Sequence, residues 1–211
     1  MKKHYIILAG AVLFLVALAV GLTLFKPSQR EEKMGEPTVP PPAVTQVLPK
    51  DYKDATYTIE GRAVALSRGV SEVEAAPGGA AKIITRYFGN QVKHDLNDDG
   101  REDVAFILTQ ETGGSGVFFY FVAALNTPEG YVGSHAVLLG DRIAPQTTHM
   151  DEGITSAGTQ RQNVIVVNYA TRFPGEPFTV KPSLGKSLWL KLDPTTMQFA
   201  EVMQNFEGES K

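Results

Sequence analysis

From Thr56 onward the chain is a succession of short runs rich in Val, Ile, Thr, Tyr and Phe, each closed by Gly, Asn, Asp or Pro. That punctuation admits strands and leaves little room for helices. Thr56 to Ile59 and Arg62 to Leu66 flank Glu60-Gly61 like the arms of a hairpin. Lys82 to Phe88, Val104 to Thr109, Val117 to Leu125 and Tyr131 to Leu139 follow. Gln146 to Met150 and Asn163 to Tyr169 are expected to pair across the polar stretch Asp151 to Gln162, and Leu184 to Leu192 and Gln198 to Gln204 complete the set. No segment after residue 26 carries a helical pattern. The spacing predicts an all-β domain, an antiparallel sandwich or barrel. Val117 to Leu125 and Val164 to Val167 are apolar without a break, which marks them as central strands covered on both faces.

A different element precedes this domain. Tyr5 to Phe25 is a stretch of 21 residues without a charge, and at about 1.5 Å per residue it spans roughly 31 Å as a helix, the thickness of a bilayer core. Lys2 and Lys3 stand before it, so the positive-inside rule places the N-terminus in the cytoplasm and the remainder outside. Lys26 and Arg30 weaken that bias. The rival reading is a cleaved signal peptide ending at Ala17-Leu18-Ala19. The apolar run continues past that point and exceeds the usual signal core, which favours residues 1–25 as a cytoplasmic stub and transmembrane signal anchor. In either reading the domain is exported. A lipid anchor is ruled out, because Leu8-Ala9-Gly10-Ala11 has alanine where a lipobox needs cysteine. The chain has no cysteine at all, so stability outside the cytoplasm has to come from core burial or a bound ion.

Residues 26–50 read as a Pro-rich linker, with Thr38-Val39-Pro40-Pro41-Pro42 as its polyproline centre; a coil of that length covers about 25–30 Å. The domain proper is assigned to residues 51–211. It holds 14 Lys and Arg against 20 Asp and Glu, a net of −6, which argues against nucleic acid as a partner and against docking on an anionic membrane surface.

Asp95-Leu96-Asn97-Asp98-Asp99-Gly100-Arg101-Glu102-Asp103 carries oxygen side chains at positions 1, 3, 5 and 9 around a glycine at 6. That is the spacing of a calcium loop. Asp95, Asn97, Asp99 and Asp103 are the expected ligands, and Arg101 at position 7 is expected to offer its carbonyl with its side chain turned away. Glu102 and Glu111 are candidates for the missing ligands, with water. Position 12 is Phe106 rather than a bidentate glutamate, so a weak structural calcium (Ca2+) site is expected, with affinity of roughly 10⁻⁴ to 10⁻³ M. The competing account is a plain polar β-turn, for which Asn, Asp and Gly are the usual residues.

Catalytic patterns are incomplete. Gly113-Gly114-Ser115-Gly116-Val117 lacks the last glycine of a nucleophile elbow and precedes a strand, so a hairpin loop is expected there. Gly185-Lys186-Ser187 ends like a phosphate loop, but Val180 stands at the first glycine position. His94, His135 and His149 are scattered, without zinc spacing. No catalytic or organic-cofactor residues are assigned. Gly140-Asp141-Arg142-Ile143-Ala144-Pro145-Gln146-Thr147-Thr148 combines an adjacent acid and base with proline and two hydroxyls; it reads as an Asp–Arg pair on a loop followed by an edge strand, with a polar cleft as the alternative. Tyr169, Phe173, Phe178 and Trp189 are assigned to core packing, with a sugar-binding platform as the alternative.

The loop resembles the calcium loops of FG-GAP repeats and dockerins over nine residues, which implies ligand roles and nothing further. From Tyr57 to Glu207 the chain resembles a family of uncharacterised small bacterial exported or membrane-anchored proteins that share D-x-N-x-D-G-x-x-D-V-A-F, G-D-R-I-A-P-Q-T-T and V-N-Y-A segments. That resemblance implies a bacterial origin and a single domain, and supplies no activity. The reading reached is a non-enzymatic, membrane-tethered extracytoplasmic module, stabilised by calcium, that binds a protein or a cell-envelope polymer. The alternative is an envelope-acting hydrolase or hydrolase inhibitor using Asp141 and Arg142.

Overall fold

The computed structural model describes residues 47–151, 153 and 162–202. The apolar run Tyr5 to Phe25, the linker as far as residue 46, most of the Asp151 to Gln162 loop and the end of the last expected strand lie outside the described residues. Among the described residues no helix is long and apolar enough to cross a membrane.

The domain is all-β. Among the described residues a single 3₁₀ turn, Tyr52–Asp54, capped by the Asp51 side chain, precedes twelve strands. These are β1 (Thr56–Ile59), β2 (Arg62–Ala65), β3 (Val70–Glu74), β4 (Lys82–His94), β5 (Asp103–Glu111) and β6 (Phe118–Asn126). Then come β7 (Tyr131–Gly133), β8 (Val137–Asp141), β9 (Ala144–Met150), β10 (Val164–Thr171), β11 (Leu184–Asp193) and β12 (Gln198–Glu201). One sheet has the order β3-β4-β5-β6-β7, with β8 beside β7 on the same edge of β6. A second has the order β12-β11-β10-β9, and β1 and β2 form a hairpin. Every ladder between these strands is antiparallel.

Alternation sends the two faces of β5 and β6 into different cores. Ala105, Ile107, Phe119, Phe121 and Ala123 meet Ile165, Val167, Leu190 and Leu192 of the four-stranded sheet. On the other face Val104, Phe106, Leu108, Tyr120 and Val122 meet Ala55, Tyr57, Ile59 and Leu66 of the hairpin layer. Phe106 is the hub of that second core, with ring centroids 5.4 Å from Tyr52, 5.5 Å from Tyr57 and 5.1 Å from Tyr87. Burial of the Tyr57 ring leaves its hydroxyl needing a partner, and it donates to the Tyr52 carbonyl at 2.6 Å.

The expected hairpin turns at Glu60-Gly61, both in left-handed backbone with φ of 49° and 76°, as a two-residue connection between twisted strands requires. β9 and β10 pair as expected, and Val117 to Leu125 becomes β6, buried along most of its length. Three readings change. The expected strand Lys82 to Phe88 runs on to His94, because Gly89 and Asn90, with φ of 114° and 53°, bulge it instead of ending it. Tyr131 to Leu139 divides into β7 and β8, since Ser134 and Ala136 turn aside to bond both backbone groups of Thr58. The edge strand β3 was not anticipated; its apolar residues Val70 and Val73 are out of step with a period of two and both are exposed. At Gly133 an added Cβ would lie 2.3 Å from the Thr56 carbonyl oxygen, so only glycine lets β7 approach β1 this closely.

With three aromatic neighbours and no solvent contact, Phe106 is expected to be the costliest single position in the hairpin-side core. Phe106→Ala should lower unfolding free energy by about 3–5 kcal/mol in chemical denaturation; a loss under about 1 kcal/mol would mean that the hairpin layer adds little to the fold.

Candidate functional site

The loop between β4 and β5 is built by backbone N–H groups turning onto its own acids. Asp95 accepts from Asp99 N–H through Oδ1 at 3.1 Å and from Gly100 N–H through Oδ2 at 2.7 Å. Asn97 Oδ1 accepts from Asp99 N–H at 3.3 Å, and Asp99 Oδ1 accepts from Arg101 N–H at 2.9 Å. Left-handed backbone at Asp98 and Gly100 makes these overlapping turns possible. The last acid faces inward. Asp103 has no solvent exposure, and its carboxylate ties the loop to β6, accepting from Leu96 N–H at 2.9 Å and Asn126 N–H at 2.7 Å. Burial pushes the Asp103 carboxyl above its usual range, with the charges of Asp99 and Asp95 adding to the effect and the two N–H donors opposing it. Asp99, held by Arg101 N–H and the Asn97 amide, is shifted the other way.

Two expectations about this loop are corrected. The Arg101 side chain does not turn away: Nη2 reaches Asp99 Oδ2 at 3.1 Å and Nε donates to the Asn126 carbonyl at 2.8 Å. It folds back onto Asp99 and the end of β6, so that one guanidinium bonds both. Glu111 is not near the loop, since β5 continues to it as a strand of nine residues and so places it roughly 27 Å from Asp103; it pairs there with Arg86. Glu102 is adjacent but bonds Lys93 at 3.0 Å. Among the described residues no three His, Asp or Glu side chains are gathered as a metal cage. Asp95, Asn97, Asp99 and Asp103 are brought into one loop, and Glu111 is not.

This loop marks one pole of the domain, where the chain also arrives. Lys50 Nζ donates to the Glu129 carbonyl at 2.8 Å and Tyr131 N–H donates to the Pro49 carbonyl at 2.8 Å, which straps residues 49 and 50 to the β6–β7 turn. An added Cβ on Gly130 would lie 2.5 Å from the Pro49 oxygen. The last residues assigned to the linker therefore belong to the domain.

The opposite pole collects the other candidates. Asp141 ends β8 and chelates its neighbour, with Arg142 Nη2 to Oδ2 at 2.8 Å, while Val117 N–H donates to Oδ1 at 2.9 Å. The Arg142 side chain holds the Asp141 carboxyl below the usual range, which suits a fixed counter-ion and opposes a role as general acid. β9 follows as the expected edge strand, with Pro145 in it. The Arg142 guanidinium lies 3.7 Å from the centroid of the Phe178 ring, and Arg172 bonds the carbonyls of Arg142, Phe178 and Val180. Tyr169 is core, as expected, but Phe173 and Phe178 are about half exposed. Their loop, rich in proline, keeps them outside the core and against the arginines. Gly113 to Gly116 connects β5 and β6 as a hairpin loop, and Lys186 and Ser187 lie within β11. His94, His135 and His149 sit in three separate places, on β4, between β7 and β8, and on β9.

The same pole holds a cleft of about 290 Å³ beneath the tip of the β1–β2 hairpin, lined by Ile59, Glu60, Arg62, Val73, Ile83 and Gln110 among others. Glu60 accepts from the Tyr120 hydroxyl at 2.7 Å. Sequence reasoning missed this feature because its walls come from five strands and the turn, and no local pattern links them. Comparison with protein-family models, curated proteins and solved structures finds no match to this chain.

Removing the buried acid tests the loop without reference to any metal. Asp103→Ala strands two inward N–H groups and should cost roughly 2–4 kcal/mol in urea unfolding; a neutral result would show that water replaces the carboxylate fully.

Proposed function

We propose that this chain is a membrane-tethered extracytoplasmic binding module whose calcium loop and tether share one pole and whose partner is engaged at the other. The observation that carries this reading is the domain's polarity. Pro49 and Lys50 enter beside the Asp95–Asp103 loop, and the Glu60 tip, the Gly113–Gly116 loop and the Asp141–Arg142–Phe178 cluster lie at the far ends of the same strands. Nine residues of β5 separate the poles by roughly 30 Å. An arrangement of two sheets sharing a core, with uncovered edges at β3, β9 and β12, favours a sandwich over a closed barrel. The partner class is a protein or an envelope polymer.

Calcium is the proposed structural ion of the loop. Asp103 is buried, and burial together with the charges of Asp99 and Asp95 raises its cost of ionisation. Carboxylate oxygens that accept one N–H keep a further lone pair for a hard cation. A raised carboxyl favours the fold in its protonated form, a contribution complete below the unfolded pKa and lost as pH rises through the folded one. A cation reverses that sign, because it binds the ionised form.

The full-length protein in mild detergent should therefore melt about 3–10 °C higher in 10 mM calcium than in chelator. Asp99→Ala should remove the rise, and mild acid should shrink it. No rise in the wild-type protein would end the calcium reading and leave a turn held by Arg101.

Tethering and polarity are tested together by position-specific labelling. Because the chain has no cysteine, Ser115→Cys is a unique reporter, expected to react with a membrane-impermeant maleimide in intact cells. A photo-crosslinker at position 115 should give adducts that one at position 98 does not. Labelling only after lysis would overturn the exported placement, and equal crosslinking from both poles would overturn the polarity.

A further inference from the structure

The layer formed by the β1–β2 hairpin stops one strand short. On its β1 side it is closed, because Thr58 N–H donates to the Ser134 carbonyl and Ala136 N–H to the Thr58 carbonyl. On its β2 side the chain crosses to β3 through the Ser67–Val70 turn, where Ser67 N–H donates to the Val70 carbonyl, and nearer the hairpin tip the edge is open. The two-residue turn makes Ile59 and Arg62 the bonded pair, hence also Tyr57 and Val64, so the N–H and C=O groups of Ala63 and Ala65 point away from β1. No described residue outside the hairpin bonds them. The cleft of about 290 Å³ lies along this edge, between Arg62, Ala63 and Val64 on the hairpin and Val73, Glu74 and Ile83 on the sheet below. Val73 is 53% exposed there.

Other edges of the domain are guarded in the usual ways. β3 bears Glu72 and Glu74, with Glu72 paired to Lys82; β9 contains Pro145; β7 has only three residues. β2 offers the small, exposed side chains of Ala63 and Ala65 instead. A row of outward backbone donors and acceptors is satisfied only by another backbone, and small side chains allow that backbone to approach. The cleft falls just under the range of about 300–1,000 Å³ for whole small-molecule sites, so it suits one side chain of an added strand. Its floor is aliphatic, from Ile59, Val64, Val73 and Ile83, and its rim carries two carboxylates, Glu60 and Glu74, against one guanidinium, Arg62.

We infer that the β2 edge and the cleft beside it bind an extended segment of a partner protein as an additional antiparallel or parallel strand. One aliphatic side chain of that segment fills the cleft, and basic side chains flank it at Glu60 and Glu74. This rests on the reading of the domain as a binding module and names the partner as a peptide strand rather than a polymer.

The test presents the full-length protein in detergent with an array of fluorescent octapeptides, alternately Lys or Thr and a varied apolar residue. The best binder is then remade with alternate backbone N-methylation. The expected result is at least tenfold weaker binding for the N-methylated peptide. At least tenfold weakening is also expected for Val73→Arg, an exposed position whose melting temperature should stay at the wild-type value, and for Ala63→Pro, which removes an outward N–H. Equal binding by the N-methylated peptide, or by Val73→Arg, would overturn the strand-addition site. So would a concentration-dependent dimer lost in Ala63→Pro, which would make the occupant a second copy of this chain. Binding to purified cell-wall polymer with no peptide bound would overturn this inference and keep the binding-module reading; binding to neither would overturn both.

Discussion

Both faces of β5 and β6 are buried, and the rest of the molecule follows from that constraint. Phe106 and Val122 look one way while Ile107 and Phe121 look the other, all without solvent contact. A strand pair apolar on both faces needs two covers. The chain supplies them from segments on either side in sequence, the hairpin before and β9 to β12 after. The hairpin cover is not self-sufficient, since a lone two-stranded hairpin is marginal in water. It gains its stability by being laid on the central pair. The chain has no cysteine and so no disulfides, and stability rests on these two apolar interfaces.

A double-sided core also decides where chemistry can sit. The strands' side chains are consumed in the middle of the domain, so charged and polar groups gather where strands begin and end. At one end the Asp95–Asp103 loop, Asn126 and the strap from Pro49 to Tyr131 are bonded to one another. At the other, Glu60, Asp141, Arg142, Arg172 and Phe178 face solvent around glycine-rich and proline-rich connections. At the first end Asp95, Asp99 and Asp103 each accept from backbone N–H groups and Glu102 pairs with Lys93. The second retains half-exposed rings and an unpaired strand edge, which is the physical ground for assigning recognition to it.

Much of the fold was legible because its signals are local. The Glu60-Gly61 turn, the unbroken apolar run of β6 and the Pro145 edge are each written within about a dozen residues, and the pairing of β9 with β10 within about two dozen. β3 was not, since its residues are exposed and lack alternation; β4 beyond Phe88 was not, since glycine and asparagine read as a stop before they read as a bulge. The candidate site divides the same way. The spacing of Asp95, Asn97, Asp99 and Asp103 shows in one line of sequence. That Arg101 folds back onto Asp99, that Glu111 lies a strand away, and that Phe178 meets Arg142 rather than the core all depend on where β5 and the loop after β10 run. The cleft under the hairpin, assembled across five strands and a turn, had no sequence signal.

Arg101 clarifies what calcium would do to such a loop. Its guanidinium already offsets part of the acid charge and ties the loop to the Asn126 carbonyl, while Asp103 ties it to the Asn126 N–H. The loop therefore has a folded form that needs no cation, and a bound ion would displace or supplement an internal positive charge instead of creating the turn. That separates it from small metal domains whose folding and binding free energies are the same quantity. Because Asn126 leads directly into the β6–β7 turn that holds Pro49 and Lys50, any tightening of the loop would be felt at that joint between residues 49–50 and the turn. A cation would then act on the firmness of that joint and on overall stability by increments, with the far pole, a full strand length away, left unaltered in shape.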